Sequence, residues 1–229
     1  MTLAGSFTAR RAMAGARQML PVALSEAAYG LVFGVLARRA GLAWTETLLM
    51  SALVNAGSSQ FAAIAMWGGA ASSLSIVVTT FIVNLRHILM GMSLRRWLGR
   101  LRWRTSLLLA LFITDESWAL TMQEFTRGRT DPAFLVGSGI MQFPFWLVAS
   151  VVGNLAASGV PDPAVWGLDF AFTGVLISLL VGMWQGHSSL WPWAAASAAA
   201  LLAARSLPGN WYVVLGGLAG ALAGAMLGD

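Results

Sequence analysis

Cysteine and lysine are both missing from this sequence. Without cysteine there is no disulfide framework and no thiolate metal site. His87 and His187 are the only histidines, too few to build a dedicated metal centre, and no cofactor is expected. Charge of either sign is scarce: 10% of the 229 residues carry it, where a soluble domain has about 25%. A G-x-x-x-x-G-K-[ST] loop is absent, which argues against ATP coupling within the chain. So is a G-x-S-x-G nucleophile turn. The formal charge of +5 rests on arginine alone, and several arginines sit in short loops, where they report membrane topology and lipid contact. No basic patch with interleaved aromatics stands outside the apolar stretches, so a nucleic-acid partner is not indicated.

What fills the chain instead is apolar. Hydrophobic residues make up 58% and the mean hydropathy is +0.73. No sphere of this size can hide that much apolar surface from water, so lipid must solvate it. A bilayer crossing needs roughly 20 apolar residues. Such runs occur over residues 18–36, 46–67, 74–94, 105–125, 133–156 and 168–184, with two shorter ones over 190–204 and 211–227. The expected fold is all-α: a polytopic membrane helix bundle of about seven or eight transmembrane segments, forming a single transmembrane domain over 1–229 behind an N-terminal tail, 1–17. Arg10, Arg11 and Arg17 resemble the basic start of a signal peptide. The apolar run after them is too long for one and lacks a clean cleavage site, so it reads as a retained first span. Trp44, Trp67, Trp97, Trp103, Trp166, Trp191 and Trp211 fall where spans should end, as indole prefers.

Topology is less direct. With eight full spans, the loop carrying Arg95, Arg96, Arg100, Arg102 and Arg104 falls opposite the N-terminal arginines. That loop carries more charge and is assigned to the cytoplasm; one re-entrant segment, for which the Gly- and Ser-rich stretch 68–75 is the natural place, would bring both groups to one side. A short repeat links Gly57-x-x-Gln60-Phe61 to Gly139-x-x-Gln142-Phe143. An acid-bearing span precedes each copy, and three spans separate them. An odd number inverts topology, giving halves 18–104 and 105–189 followed by a C-terminal pair, 190–229. Inverted repeats with broken helices and a midplane site are a common transporter plan.

Asp115 and Glu116 stand side by side in the middle of the fourth run. An acid at the bilayer centre costs roughly 2.5–3.5 kcal/mol on insertion scales, so two must pair, protonate or face a watery path. Adjacent helical residues point about 100° apart, which gives the two acids different neighbours. With Thr114 they read as a proton or cation relay or an anchor for a substrate ammonium; the structural alternatives are an ion pair or a re-entrant turn in which acids cap a half-helix. In the third run, Asn84 and His87 share a helix face. Arg86 offers a planar fork for a carboxylate, unless it snorkels or neutralises Asp115 or Glu116. Ser58, Ser59 and Gln60 offer uncharged hydrogen bonds beside Gly57, on either an unwound or a closely packed helix. Glu26, near the centre of the first span, is a candidate partner for Arg86. Gly216, Gly220, Gly224 and Gly228 recur every fourth residue, the small-residue pattern that packs helices in lipid, within the chain or against another subunit.

Three stretches together resemble the AzlC family, the large subunit of branched-chain amino acid exporters: Ala56-Gly57-Ser58-Ser59-Gln60-Phe61, Asn84-Leu85-Arg86-His87-Ile88-Leu89-Met90-Gly91-Met92-Ser93-Leu94, and Thr114-Asp115-Glu116. Neither Glu26 nor Gln142 belongs to the pattern that carries the resemblance. The resemblance implies a bacterial inner-membrane protein that works with a small AzlD-type subunit and exports leucine, isoleucine, valine and methionine, coupled to the proton gradient. A zwitterion needs one anion and one cation at its site, and Asp115 or Glu116 with Arg86 would supply them. The competing class is an intramembrane enzyme, with His87 as base, an acid orienting it and Ser58 or Ser59 as nucleophile; a third is a scaffold whose partner carries the pathway.

Overall fold

The structure, a computed structural model, describes residues 7–69, 72–99, 101–159, 186–207 and 211–227, with single positions between 174 and 184. Trp166, Gly228 and most of the expected sixth span at 168–184 lie outside the described residues. No strand occurs among those described, as the all-α expectation requires. Among the described residues three helices are long and apolar enough to cross a membrane: α1 (Ala9–Arg39), α4 (Ser73–Leu98) and α7 (Ala133–Ala156). Between them lie four short helices, α2 (Trp44–Leu53), α3 (Gly57–Met66), α5 (Trp103–Ala110) and α6 (Asp115–Thr126). The chain continues into α8 (Leu190–Ser206) and α9 (Trp211–Leu227).

Three sequence expectations change here. The stretch 1–17 is not all tail: α1 starts at Ala9, where Thr8 caps it by accepting from the Arg11 N–H, and arginine is a good helix former. The run 46–67 is not one span but α2 and α3, parted at residues 54–56. Val54 leaves the helical region (φ −108°, ψ 44°), and Asn55 after it is a weak helix former. The run 105–125 is likewise parted at residues 111–114. Thr114 takes an extended conformation (φ −121°, ψ 174°) and opens α6 as its N-cap. Asp115 and Glu116 therefore occupy the first turn of a half-helix, where the positive end of the helix favours anions.

The described residues gather into two compact units. One holds residues 7–60 and 84–159, the other 61–83 and the described residues beyond 161. In the first, α1 and α7 run parallel along their lengths. Glycines bring the two backbones together: a Cβ on Gly34 would collide with the Ser150 carbonyl, one on Gly137 with that of Ala12, and one on Gly153 with that of Leu31. Asp131 staples the two helix starts. Its Oδ2 accepts from the Thr8 N–H (3.1 Å) and hydroxyl (2.7 Å), and its Oδ1 from the Ala133 N–H (2.9 Å). In the second unit, α8 and α9 pack on small residues. A Cβ on Gly216 would come within 3.0 Å of Ala200 Cβ, and one on Gly220 within 3.0 Å of Ala196 Cβ, while Gly224 faces the Pro192 ring. The C-terminal glycine stripe is thus an interface within the chain.

Sides of the membrane follow from the first unit. Leu94 and Leu98, at the end of α4, share an apolar cluster with Leu109 of α5, Phe125 of α6 and Leu135 of α7. The starts of α1, α5 and α7 and the ends of α4 and α6 therefore lie on one face. Arg95 and Arg96 join Arg10, Arg11, Arg127 and Arg129 there, and the two arginine groups fall together, as one re-entrant segment between α1 and α4 would make them. The α5–α6 pair is itself re-entrant, leaving that face and returning to it. The opposite face holds the end of α1 and the start of α2, where Asn154 Nδ2 donates to Thr47 Oγ1 (2.8 Å) and the Leu42 carbonyl (3.1 Å).

Two outcomes are expected. Gly137→Ala lowers the unfolding midpoint in detergent, at a cost of about 1–3 kcal/mol for overpacking, whereas Gly91→Ala, with open space around its Cβ, does not lower it. The positive-inside rule predicts a cytoplasmic arginine-rich face. In this cysteine-free chain, Thr45→Cys is then labelled by an impermeant maleimide in intact cells, and Thr130→Cys only after permeabilisation.

Candidate functional site

The site lies where both helix breaks meet α7. Glu26 stands about 25 Å along α1 from Ala9 and Gln142 about 14 Å along α7, near the middle of each crossing. At the first break, Thr114 and Ser117 cap each other: the Thr114 N–H donates to Ser117 Oγ (2.8 Å) and the Ser117 N–H to Thr114 Oγ1 (3.2 Å). This satisfies backbone donors that lipid cannot reach. The Thr114 hydroxyl donates to Gln142 Oε1 at 2.7 Å, so the amide nitrogen of Gln142 points the other way. It donates to Glu26 Oε1 (2.9 Å) and to Glu116 Oε2 (3.1 Å).

At the second break, Gln60 is fully buried in the first turn of α3. Its Nε2 donates to Ser51 Oγ (3.1 Å) across the break, and its Oε1 accepts from Trp146 Nε1 (2.9 Å). Gln142 and Trp146 stand four residues apart on α7, so one helix face carries the anchors of both breaks. Between the half-helix starts lies Arg86 of α4. Its Nη2 meets Asp115 Oδ2 at 2.9 Å and donates to Ser58 Oγ at 2.6 Å. Its Nε has no hydrogen-bond partner. The ion pair is partly open, with 27% and 31% of the two side chains exposed.

The sequence-nominated residues sort accordingly. Thr114, Asp115, Glu116, Arg86, Ser58, Gln60 and Glu26 converge at mid-depth. The expected pairing of Glu26 with Arg86 does not form: Arg86 is taken by Asp115, and Glu26 by Gln142. Ser59 turns inward to its own Ala56 carbonyl (2.9 Å). His87 Nδ1 lies 3.2 Å from the Asn84 carbonyl within one helical turn, and the Asn84 side-chain oxygen is buried without a partner. Among the described residues no hydrogen bond joins His87 to Ser58 or Ser59, the pairing a nucleophile would need. His187 lies in a short turn before α8. No group of metal-ligating side chains occurs among the described residues.

Sequence reading missed Ser51, Trp146 and Ser117, and took Gln142 only as half of a repeat. That repeat lacks a shared local structure: Gly57 opens a half-helix, whereas Gly139 lies inside α7 against the Phe112 ring. The Thr-x-x-Ser spacing at 114–117 was the available signal of a helix start. Also unforeseen is the fully buried Glu124, held by Arg11 (2.9 Å) and Arg129 (3.3 Å) at the arginine-rich face.

Long apolar helices, a re-entrant pair and charges at mid-depth define a multi-pass membrane protein built around an intramembrane polar site. The family model described as AzlC protein matches residues 21–160, and the chain belongs to that family. The matched stretch contains every residue of the site. Inner membrane protein YgaZ of Escherichia coli K12 is 30% identical over 184 residues, 78% of this chain and 75% of that protein. An uncharacterized membrane protein of Helicobacter pylori J99 is 27% identical, covering 71% and 72%. The branched-chain amino acid transport protein AzlC of Bacillus subtilis is 25% identical, covering 68% of this chain and 61% of its own length. No solved structure matches.

Glu124→Gln removes the buried anion and leaves the arginines uncompensated. It should cost about 2 kcal/mol, read as a lower unfolding midpoint in detergent, and high salt should narrow the gap from the unmodified protein.

Proposed function

We propose that this chain is the large subunit of a two-component permease that exports neutral aliphatic amino acids, branched-chain ones first, across the bacterial inner membrane in exchange for protons. The Arg86–Asp115 pair carries this reading. It is a matched cation and anion at mid-depth, partly open, and flanked by the starts of α3 and α6. A zwitterionic amino acid presents the same two charges in reverse and can replace the internal pair without changing the net charge of the site.

In that exchange the substrate ammonium takes the place of Arg86 at Asp115. The carboxylate meets the guanidinium, whose unpartnered Nε completes a two-point contact, and Ser58 at the positive end of α3 adds a hydrogen bond. An aliphatic side chain needs only an apolar wall. The internal pair re-forms when the substrate leaves, which keeps either charge from being stranded in lipid. Membership of a family with a relative named for branched-chain amino acid transport supports the substrate class. The resemblance to large exporter subunits supports a small apolar partner.

Vesicles containing this chain, with and without its small partner, are loaded with labelled leucine under an imposed pH gradient. Gradient-dependent flux is expected, and its absence in both preparations overturns the reading. Arg86→Gln and Asp115→Asn should each reduce flux about a hundredfold, or about 3 kcal/mol.

A further inference from the structure

We propose that Gln142 holds Glu26 of α1 and Glu116 of α6 as a pair carrying one proton between them, and that this pair, separate from Asp115, couples proton movement to transport. The inference rests on the transporter reading and adds to it a site for the coupling ion. Its geometry is specific. Gln142 is only 5% exposed, and its oxygen is committed to Thr114 at 2.7 Å. Both of its N–H bonds are thereby aimed at two carboxylates, at 2.9 and 3.1 Å. Two oxygens so placed lie within about 6 Å of each other, close enough for full charges to repel strongly at low dielectric.

A second observation points to a missing proton. Glu26 Oε2 is wholly buried and has no hydrogen-bond partner. A buried acceptor left unmatched is costly; a hydroxyl there could instead donate to the neighbouring carboxylate. A metal cation fits poorly, because it seeks oxygen ligands and Gln142 turns N–H groups, not its oxygen, toward the pair. The other charged and titratable groups nearby are Asp115 beside Glu116, Arg86 and His87 of α4, and Tyr29 one turn along α1. Arg86 is held by Asp115, so it does not neutralise the pair. The chemistry is a simple transfer: one carboxylate oxygen takes a proton from water, the resulting O–H donates to its partner, and release returns the proton to water. Nothing is oxidised or reduced.

Coupling follows from position. Glu116 adjoins Asp115 in the first turn of α6, so loading the pair changes the field at the substrate's ammonium anchor. Gln142 is a positioning residue, since it touches the coupling carboxylates and not the substrate groups.

The full chain in lipid vesicles is examined by infrared difference spectroscopy across pH, following the C=O stretch of a protonated carboxyl. Glu26→Gln and Glu116→Gln should each remove this band, whereas Asp115→Asn should retain it. Gln142→Leu and, as a milder second variant, Thr114→Val should shift its frequency. In flux assays Glu26→Gln should lower pH-driven leucine movement about tenfold or more, and lower leucine exchange less. A band that survives in both glutamate variants, or disappears in Asp115→Asn, overturns the proposal, as does flux driven equally by a sodium gradient. Absence of leucine flux from the unmodified chain both with and without its small partner would refute the transport reading alone, because the infrared band still decides whether the pair holds a proton.

Discussion

A helix broken inside a bilayer exposes N–H and C=O groups that lipid cannot satisfy. Two such breaks occur among the described residues, and polar side chains serve each of them. Thr114 and Ser117 close one break upon itself; Gln60 and Ser51 bridge the other. Both networks then end on α7, at Gln142 and Trp146, one turn apart. That dependence explains why α7 must be held rigidly. Its glycine seam with α1 leaves no room for a single added methyl at several points, and the Asp131 staple fixes the register at one end. The seam sets α1 and α7, α7 sets the breaks, and the breaks set the charges.

The same geometry decides the electrostatics. Both half-helices offer their positive ends to the middle of the membrane. At α6 the dipole meets Asp115 and Glu116, which it stabilises. At α3 it adds to Arg86 and so favours an anion. The result is one locus for each sign, bridged by the Arg86–Asp115 ion pair. Three acids and one arginine nevertheless gather here, so full ionisation would leave excess negative charge in a poorly solvated place. A proton between Glu26 and Glu116 removes part of that excess without disturbing the Arg86–Asp115 pair. The proposed proton site and the proposed substrate site then differ in composition as well as position.

How much of this could be read from residues depends on range. Local patterns were legible: the C-terminal glycines repeat every four residues and pack as that period suggests, and polar residues stranded in apolar runs marked the site. Gln60, Arg86, Asp115 and Glu116 do converge. The breaks were legible only as alternatives, a half-helix capped by acids and an unwound helix beside Gly57, because hydropathy averages over a window and Leu111, Phe112 and Ile113 are themselves apolar, so two short helices look like one crossing. The α1–α7 seam was hidden for another reason. Gly34 and Gly153 have no regular spacing that announces a partner more than a hundred residues away. The bond from Gln142 to Glu26 spans 116 residues, and nothing in either local sequence predicts it.

The two breaks approach α7 from opposite faces. Asn154 holds the start of α2 at one face, and Arg11 holds the end of α6, through Glu124, at the other. A solute entering from either side thus meets a half-helix tip before it meets a complete crossing, and both tips border the Arg86–Asp115 pair. Since α5 and α6 enter and leave on one face, their tip can shift against α7 without dragging a transmembrane helix through lipid. The tip is held by the Arg86–Asp115 pair, by the Gln142–Glu116 hydrogen bond and by the hydrogen bond from Thr114 to Gln142. The last of these bonds also aims the Gln142 amide at Glu26 and Glu116. One side chain, Gln142, thus touches the half-helix tip and both carboxylates, and on the proposed reading it is the physical route by which the tip and the carboxyl pair would be coupled.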